Sequence, residues 1–226
     1  MTTMTETATR TRPPDYRLAM RMSDSLPAGE SGEWKVEHFT VSEDDARMER
    51  LRAAFSGGRG VPAGNYVGLK RGGRIWMSDT PDEMGDHAGC YYEASRRGGR
   101  WLVMGLGLGM IVQGLLALEN VEHVDVVELD ADVIALVSPA FQDAIDAGRL
   151  SIHQGDAFAI TWPKDTPRWS GVWADVWPDL CTDNLSEMAT IRRKYGQRRA
   201  EWCDCWGRDL LLYRRRQERA HERLWN

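Results

Sequence analysis

No apolar run in the chain approaches the roughly 18 residues that would cross a bilayer, and the Thr-rich start lacks the apolar region of a secretory leader. The sequence therefore reads as cytoplasmic, with no membrane partner. Its four cysteines, Cys90, Cys181, Cys203 and Cys205, contain no C-x-x-C pair, and Cys203-x-Cys205 alone makes no zinc site. No metal is expected, and the thiols read as reduced and partly buried. Lysine is scarce: Lys35, Lys70, Lys164 and Lys194 are outnumbered by arginine among 29 basic residues. That usage fits a GC-rich genome of actinobacterial or phage type and carries no mechanism. A formal net charge of −5 repels nucleic acid at long range. The 226 residues suffice for one domain with an elaboration.

The informative stretch is Trp101 to Asp130, WLVMGLGLGMIVQGLLALENVEHVDVVELD. An apolar run, Trp101 to Met104, enters Gly105-Leu106-Gly107-Leu108-Gly109, and Met110 to Leu118 continue apolar without a turn signal. The order is strand, glycine turn, helix. A second run, Val124 to Val127, is broken only by Asp125 and ends on Glu128, 19 positions beyond Gly109, the spacing of a short βαβ unit with an acid at its second strand tip. Gly105 and Gly107 permit close approach to the main chain, helix amides point at whatever binds there, and Glu128 is placed to accept from two ribose hydroxyls. A dinucleotide fingerprint needs its third glycine at 110, which is Met. The GxGxG pattern favours S-adenosylmethionine over NAD; a tight βα turn without ligand is the plain alternative.

Two further strand tips carry acids. Arg149 to Gln154 lead into Gly155-Asp156-Ala157-Phe158, where a carboxylate can take an adenine amine with Ala157 or Phe158 against the ring. Gly171 to Ala174 lead into Asp175, followed by Val176-Trp177-Pro178-Asp179. Ligands of open parallel sheets sit beyond the carboxyl ends of the strands, so Glu128, Asp156 and Asp175 should converge. Each of the last two could instead be a helix N-cap.

The runs VMGLGLGM, VVELDADVIALV, GRLSIHQGDAF and SGVWADVWPDL together resemble the class I S-adenosylmethionine-dependent methyltransferases, and within them the spermidine synthase-like branch, over about 76–179. The resemblance implies a Rossmann-like α/β fold. It implies Gly105, Gly107 and Gly109 as the cofactor loop, Glu128 as ribose ligand, Asp156 with Ala157 at the adenine, and Asp175 beside the reacting centre. Met77-Ser78-Asp79 and Cys90-Tyr91-Tyr92-Glu93 resemble the segment lying over the cofactor in that branch, with Tyr92 in place of its usual histidine. Asp79, Tyr91 and Tyr92 are thereby candidate substrate contacts, and Trp177, two residues after Asp175, is a further candidate as part of the wall. Val-Trp-Pro-Asp replaces the second Asp of a Ser/Thr-rich stretch in aminopropyl-transferring members. Asp175 is expected to hold or deprotonate an amine or hydroxyl, with Asp179 attracting a cationic substrate.

A loose arm is expected over 1–28, a small β-rich cap over 29–95, a Rossmann-like core over 96–180 and a helical extension over 181–226. In the cap, Glu33 to Val41 alternates as a half-buried strand, a helix begins near Ser42, Gly57 to Gly64 reads as a flexible loop, and Gly72-Gly73 marks a hairpin. Residues 180–226 show no period-two apolar run and read as two helices, so the sheet is expected to stop after its fourth strand. Arg208 to Trp225 carries Arg214, Arg215, Arg216, Arg219 and Arg223; a solvated face, or a surface for a protein partner or self-association through Leu210, Leu211, Tyr213, Leu224 and Trp225, is favoured over phosphate contact. Three functions remain at this point: a methyltransferase with an unidentified small or macromolecular acceptor, an aminopropyltransferase using decarboxylated S-adenosylmethionine, and a binding protein that keeps the fold without turnover.

Overall fold

A computed structural model describes residues 13–56, 60–196 and 198–225. Helix α1 (Tyr16–Ala19) is capped by the Asp15 carboxylate, which accepts the Arg17 amide. Met20, Met22 and Leu26 then bury almost completely. From residue 13 onward, therefore, the expected loose arm is packed chain, because three large apolar side chains and their neighbours' amides find partners on the body; 1–12 lie outside the described residues. Strands β1 (Gly29–Ser31) and β2 (Trp34–Val41), helix α2 (Glu43–Ser56), and strands β3 (Gly64–Arg71) and β4 (Arg74–Ser78) follow. The strands form an antiparallel sheet in the order β1-β2-β3-β4. Gly72 and Gly73, at φ 54° and 81°, supply the two left-handed residues of the β3–β4 turn, which pairs Arg71 with Arg74. Of the loop expected at Gly57 to Gly64, 57–59 lie outside the described residues and Gly64 already begins β3.

Helices α3 (Pro81–Asp86) and α4 (Ala88–Arg97) lead into the core: β5 (Gly99–Met104), α5 (Met110–Leu116), β6 (Val121–Glu128), α6 (Ala131–Val137), a 3-10 turn at Ser138–Phe141, α7 (Gln142–Asp146), β7 (Leu150–Gln154), β8 (Trp169–Ala174), α8 (Asn184–Tyr195), β9 (Ala200–Cys205) and α9 (Arg208–Trp225). The five strands form one parallel sheet in the order β7-β6-β5-β8-β9, the Rossmann-like arrangement expected. The expected truncation after the fourth strand is corrected by β9, which pairs with β8 from Trp169–Ala200 to Ala174–Cys205. Its sequence, AEWCDC, buries Ala200, Cys203 and Cys205 while Trp202 packs on the other face, so no clean alternation marks it. Among the described residues no strand follows β9. Helices α4, α5 and α6 cover one face with Trp101, Val103, Val124 and Val126; α8 and the start of α9 cover the other with Leu102, Met104 and Val172. Leu211, expected on a self-association surface, is buried in this second layer, while Leu210 and Tyr213 are exposed; the side chains of Leu224 and Trp225 lie outside the described ones.

Asp125, the break in the β6 run, is a buried acid bound across three strands. It accepts from Arg100 Nε at 2.6 Å and Nη2 at 2.8 Å on β5, and from Trp169 Nε1 at 2.8 Å on β8. Burial pushes this carboxyl up, but the Arg100 and Trp169 hydrogen bonds outweigh it and leave it below its ordinary range. The chain leaves β5 in one direction toward β6 and β7 and returns on the other side to β8 and β9. A switch point therefore lies between β5 and β8, where loops diverge and a crevice opens. No helix among the described residues is long and apolar enough to cross a membrane.

Candidate active site

A cavity of about 450 Å³ opens at that switch point. Its floor is the glycine loop. Gly105, Gly107 and Gly109 have φ of 94°, 51° and 83°. A Cβ at Gly105 would collide with the Asp175 carbonyl oxygen, and one at Gly109 would meet the Phe141 ring at 2.6 Å, so both positions demand glycine for space as well as conformation. The loop's amides are largely engaged. Gly105 donates to the Val127 carbonyl and Gly109 to that of Leu106, both at 2.8 Å, while Leu106 donates to Glu128 Oε2 at 2.7 Å and Leu108 to Met77 Sδ at 3.1 Å. No partner for the Gly107 amide is found among the described residues.

Glu128 Oε1 accepts the Asp130 amide at 2.9 Å. The carboxylate is thus fixed at the β6 tip with lone pairs remaining on both oxygens. Asp130 caps α6 through the Asp132 amide and accepts Trp34 Nε1 at 2.6 Å, which fastens β2 of the N-terminal sheet to the core. Asp156 accepts the Phe158 amide at 2.8 Å, so part of its role is the local cap that its position at a strand tip allows. It lines the cavity beside Ala157 and Phe158, whose ring meets Trp177 edge to face at 6.3 Å.

The opposite end is acidic and aromatic, lined by Glu83, Asp86, His87, Trp173, Asp175 and Trp206. His87 joins α3 to α4, is 4% exposed, and places Nε2 3.6 Å from Asp175 Oδ2. Burial pushes the Asp175 carboxyl up to about 7, reinforced by the nearby Glu83 and Asp86. Burial pushes His87 down to about 4, against the pull of Asp86, so the ring is neutral at physiological pH. Glu83 is held by the Ser78 hydroxyl at 2.6 Å and the Ser78 amide at 2.7 Å; burial raises its carboxyl and those bonds oppose the rise.

Of the residues singled out from sequence, Gly105, Gly107, Glu128, Asp156, Ala157, Asp175 and Trp177 line this one cavity. Gly109 stands behind it as the N-cap of α5. Four others are placed elsewhere. Asp79 is 1% exposed and spends its carboxylate on the amides of Met22, Ser23 and Val67, anchoring the N-terminal segment. Tyr91 is a core residue donating to the Pro14 carbonyl, and Tyr92 is half exposed against Tyr16. Asp179 is exposed at the surface, 3.8 Å from Arg74. Met77, read from the sequence as part of the segment over the cofactor, lines the cavity, whereas sequence reasoning missed His87, Glu83 and Trp34 as cavity residues. They lie far from the βαβ unit in sequence, and only the docking of the N-terminal sheet and the α3–α4 junction brings them in. Among the described residues no group of three or more His, Cys, Asp or Glu side chains could hold a metal.

The donor set fits a nucleoside cofactor with an amino-acid tail: a floor made of glycine, an amide at Gly107 without a partner among the described residues, a carboxylate fixed at the β6 tip with lone pairs to spare, and a small residue beside an aromatic ring at the third tip. No protein-family model matches the chain. It is 32% identical over 113 residues to the probable ribosomal RNA small subunit methyltransferase A of Haloquadratum walsbyi, covering 47% of this chain and 38% of that protein. The chain thus spans well under half the length of this relative. Among solved structures it resembles the S-adenosylhomocysteine-bound methyltransferase PaMTH1 of Podospora anserina, at 14% identity and TM-score 0.38 over 51% of each chain. It also resembles the CcbJ methyltransferase of Streptomyces caelestis, at 20% identity and TM-score 0.37 over 49% of this chain and 43% of that one. The fold assignment rests on the strand order and parallel register given above.

Proposed function

We propose that the protein is an S-adenosylmethionine-dependent methyltransferase. The observation carrying this reading is the convergence, in one cavity, of the glycine loop, the Glu128 carboxylate and the buried Asp175. The named activity of the Haloquadratum relative supports it. Glu128 would hold the ribose, Gly105 and Gly107 would admit the amino-acid tail, and Asp156, Ala157 and Phe158 would surround the adenine. The cofactor supplies an already activated methyl group, so the protein's part is alignment, exclusion of water and removal of one proton. Asp175 stands where the acceptor must enter, and a carboxyl near 7 suits a base at neutral pH.

For the acceptor, we favour a small molecule that is neutral or cationic. Glu83, Asp86 and Asp175 line the far end, and the lining cation, Arg71, is engaged by Glu33 and the Trp34 ring. A nucleic-acid acceptor draws on the relative's name and on the exposed Arg214 and Arg219 of α9, but its phosphates would meet an acidic mouth. The spermidine synthase-like branch, with aminopropyl transfer, would require tighter binding of decarboxylated S-adenosylmethionine. Calorimetric titration with S-adenosylmethionine and its decarboxylated form tests these readings. Saturable binding of the methyl donor, lost in Glu128→Ala, is the expected result. Absence of heat with both ligands would reject the cofactor assignment.

A further inference from the structure

Among the described residues, three polar groups at the acidic end of the cavity are left without hydrogen-bond partners. His87 Nδ1 and Trp173 Nε1 are buried and unpartnered, and no hydrogen bond to the Asp175 carboxyl is found among the described residues. The first two belong to side chains only 4% and 6% exposed, and their rings meet edge to face at 6.0 Å. A buried polar atom without a partner is destabilising and uncommon in folded proteins, so unpaired groups clustered on one cavity wall point to a ligand.

The chemistry of each group restricts what can bind. Trp173 Nε1 can only donate, so it needs a lone pair. With the His87 proton on Nε2, facing Asp175, Nδ1 is a lone pair and needs a donor. An oxyanion such as a carboxylate or phosphate offers no hydrogen to His87 and meets Glu83, Asp86 and Asp175 as like charges. A molecule bearing an N–H or O–H next to an atom with a free lone pair satisfies both groups at once.

We propose that His87 is part of the acceptor site: its Nδ1 accepts a hydrogen bond from one N–H of a nitrogen nucleophile that carries a second hydrogen, its Nε2 edge orients Asp175, and Trp173 Nε1 donates to a neighbouring atom of the same molecule. In the transfer, the nucleophile's lone pair forms the bond to the methyl carbon. The carbon–sulfur bond breaks with its electron pair left on sulfur, and the nucleophile's second hydrogen, the one not held by His87, passes to Asp175 as a proton. His87 therefore binds substrate and positions the base, which gives a role to a residue that otherwise leaves an unpaired buried nitrogen in the α3–α4 junction.

This inference rests on the cofactor reading above, and a pair of probes separates the two. S-adenosylhomocysteine occupies the cofactor half alone, whereas sinefungin adds an amine where the transferred methyl would stand, facing Asp175 and His87. Wild-type protein is expected to bind sinefungin about tenfold more tightly than S-adenosylhomocysteine, with the preference growing as pH rises through 7 and Asp175 ionises. His87→Leu is expected to bring the two affinities within about threefold. His87→Asn, whose Oδ1 can stand in for Nδ1, is expected to retain the preference. A merely structural role for His87 would shift both ligands in parallel. Equal affinities in the wild type, or an unchanged ratio in His87→Leu, would overturn the assignment while leaving the cofactor reading intact; if the Leu variant does not fold, the wild-type ratio and its pH dependence decide. Failure of both ligands to bind wild-type protein would reject the cofactor reading and this assignment with it.

Discussion

The thioether of Met77 accepts the Leu108 amide at 3.1 Å, so a side chain of the N-terminal sheet sits directly on the glycine loop. It also fills the space in front of Gly107 that a Cβ would take. Sulfur of this kind is a weak acceptor on a flexible stem, and a charged or hydroxyl oxygen makes a stronger partner for the same amide. Met77→Ala is therefore expected to tighten S-adenosylhomocysteine binding about three- to tenfold, the worth of one modest hydrogen bond that no longer has to be broken. Calorimetry on the two proteins checks this; weaker binding in the variant would mean that Met77 holds the ligand rather than yielding to it.

Asp175 and His87 give opposite dependences of stability on pH. The Asp175 carboxyl rises from an ordinary 3.8 to about 7 on folding, so the folded state holds the extra proton between those values and stability falls as pH rises across that window. His87 drops from 6.5 to about 4, so the folded state lacks a proton there and stability rises with pH between 4 and 6.5. The two nearly cancel up to 6.5, and the Asp175 penalty persists above it. Asp175→Asn is expected to raise the melting temperature by a few degrees at pH 8, with a smaller gain near pH 4. Melting curves at the two pH values read it directly. Equal gains would show that ionisation is not the source.

Asp125 offers a sharper stability test. Removing its carboxylate strands Trp169 Nε1 in the core and leaves the part-buried Arg100 guanidinium without its partner, and breaking a buried pair from one side costs about 3–5 kcal/mol. Asp125→Ala is expected to lower unfolding free energy by about that amount in denaturant titration, whereas Arg100→Met combined with Asp125→Leu should recover much of it. A single-variant loss below about 1 kcal/mol would place the pair in water rather than in the core.

Gly171 on β8 lies against the Trp101 indole, which occupies the space a Cβ would need. Trp101 cannot retreat: it is fully buried and donates from Nε1 to the Gly98 carbonyl at 2.9 Å. Gly171→Ala is expected to cost about 1–3 kcal/mol through overpacking, with partial recovery in Gly171→Ala combined with Trp101→Phe. Additive losses in the double variant would argue that the cost lies in the backbone instead.

The parts of the fold legible in the sequence were those fixed by local rules. Trp101 to Asp130 announces strand, turn, helix and strand because its apolar runs are long and its glycines are required by the backbone itself, and Gly72-Gly73 announces a hairpin for the same reason. The place of Asp175 in the cavity lining was readable from its position at a strand tip. Strand β9 was not, since its inward residues are Ala200, Cys203 and Cys205 and its intervening acids, Glu201 and Asp204, look like solvent-facing residues; Asp204 is in fact half-buried near Arg192 and Arg208. Asp79 and Tyr91 carry the right chemistry for a site but serve folding, because their polar atoms are consumed by backbone groups 12 to 77 positions away. His87 has no local signature at all. Its place in the cavity arises from burial beside Asp175, a relationship between residues 88 positions apart.

Asp130 shows what such distant relationships do to a molecule. One carboxylate caps α6 and holds Trp34, while the amide of the same residue is held by Glu128, whose other oxygen grips the loop at Leu106. Four elements therefore share a single line of hydrogen bonds from the N-terminal sheet to the floor of the cavity. In thermodynamic terms the line makes their contributions non-additive: losing Trp34 and losing Glu128 remove overlapping parts of one network, and neither residue has a stability of its own to report.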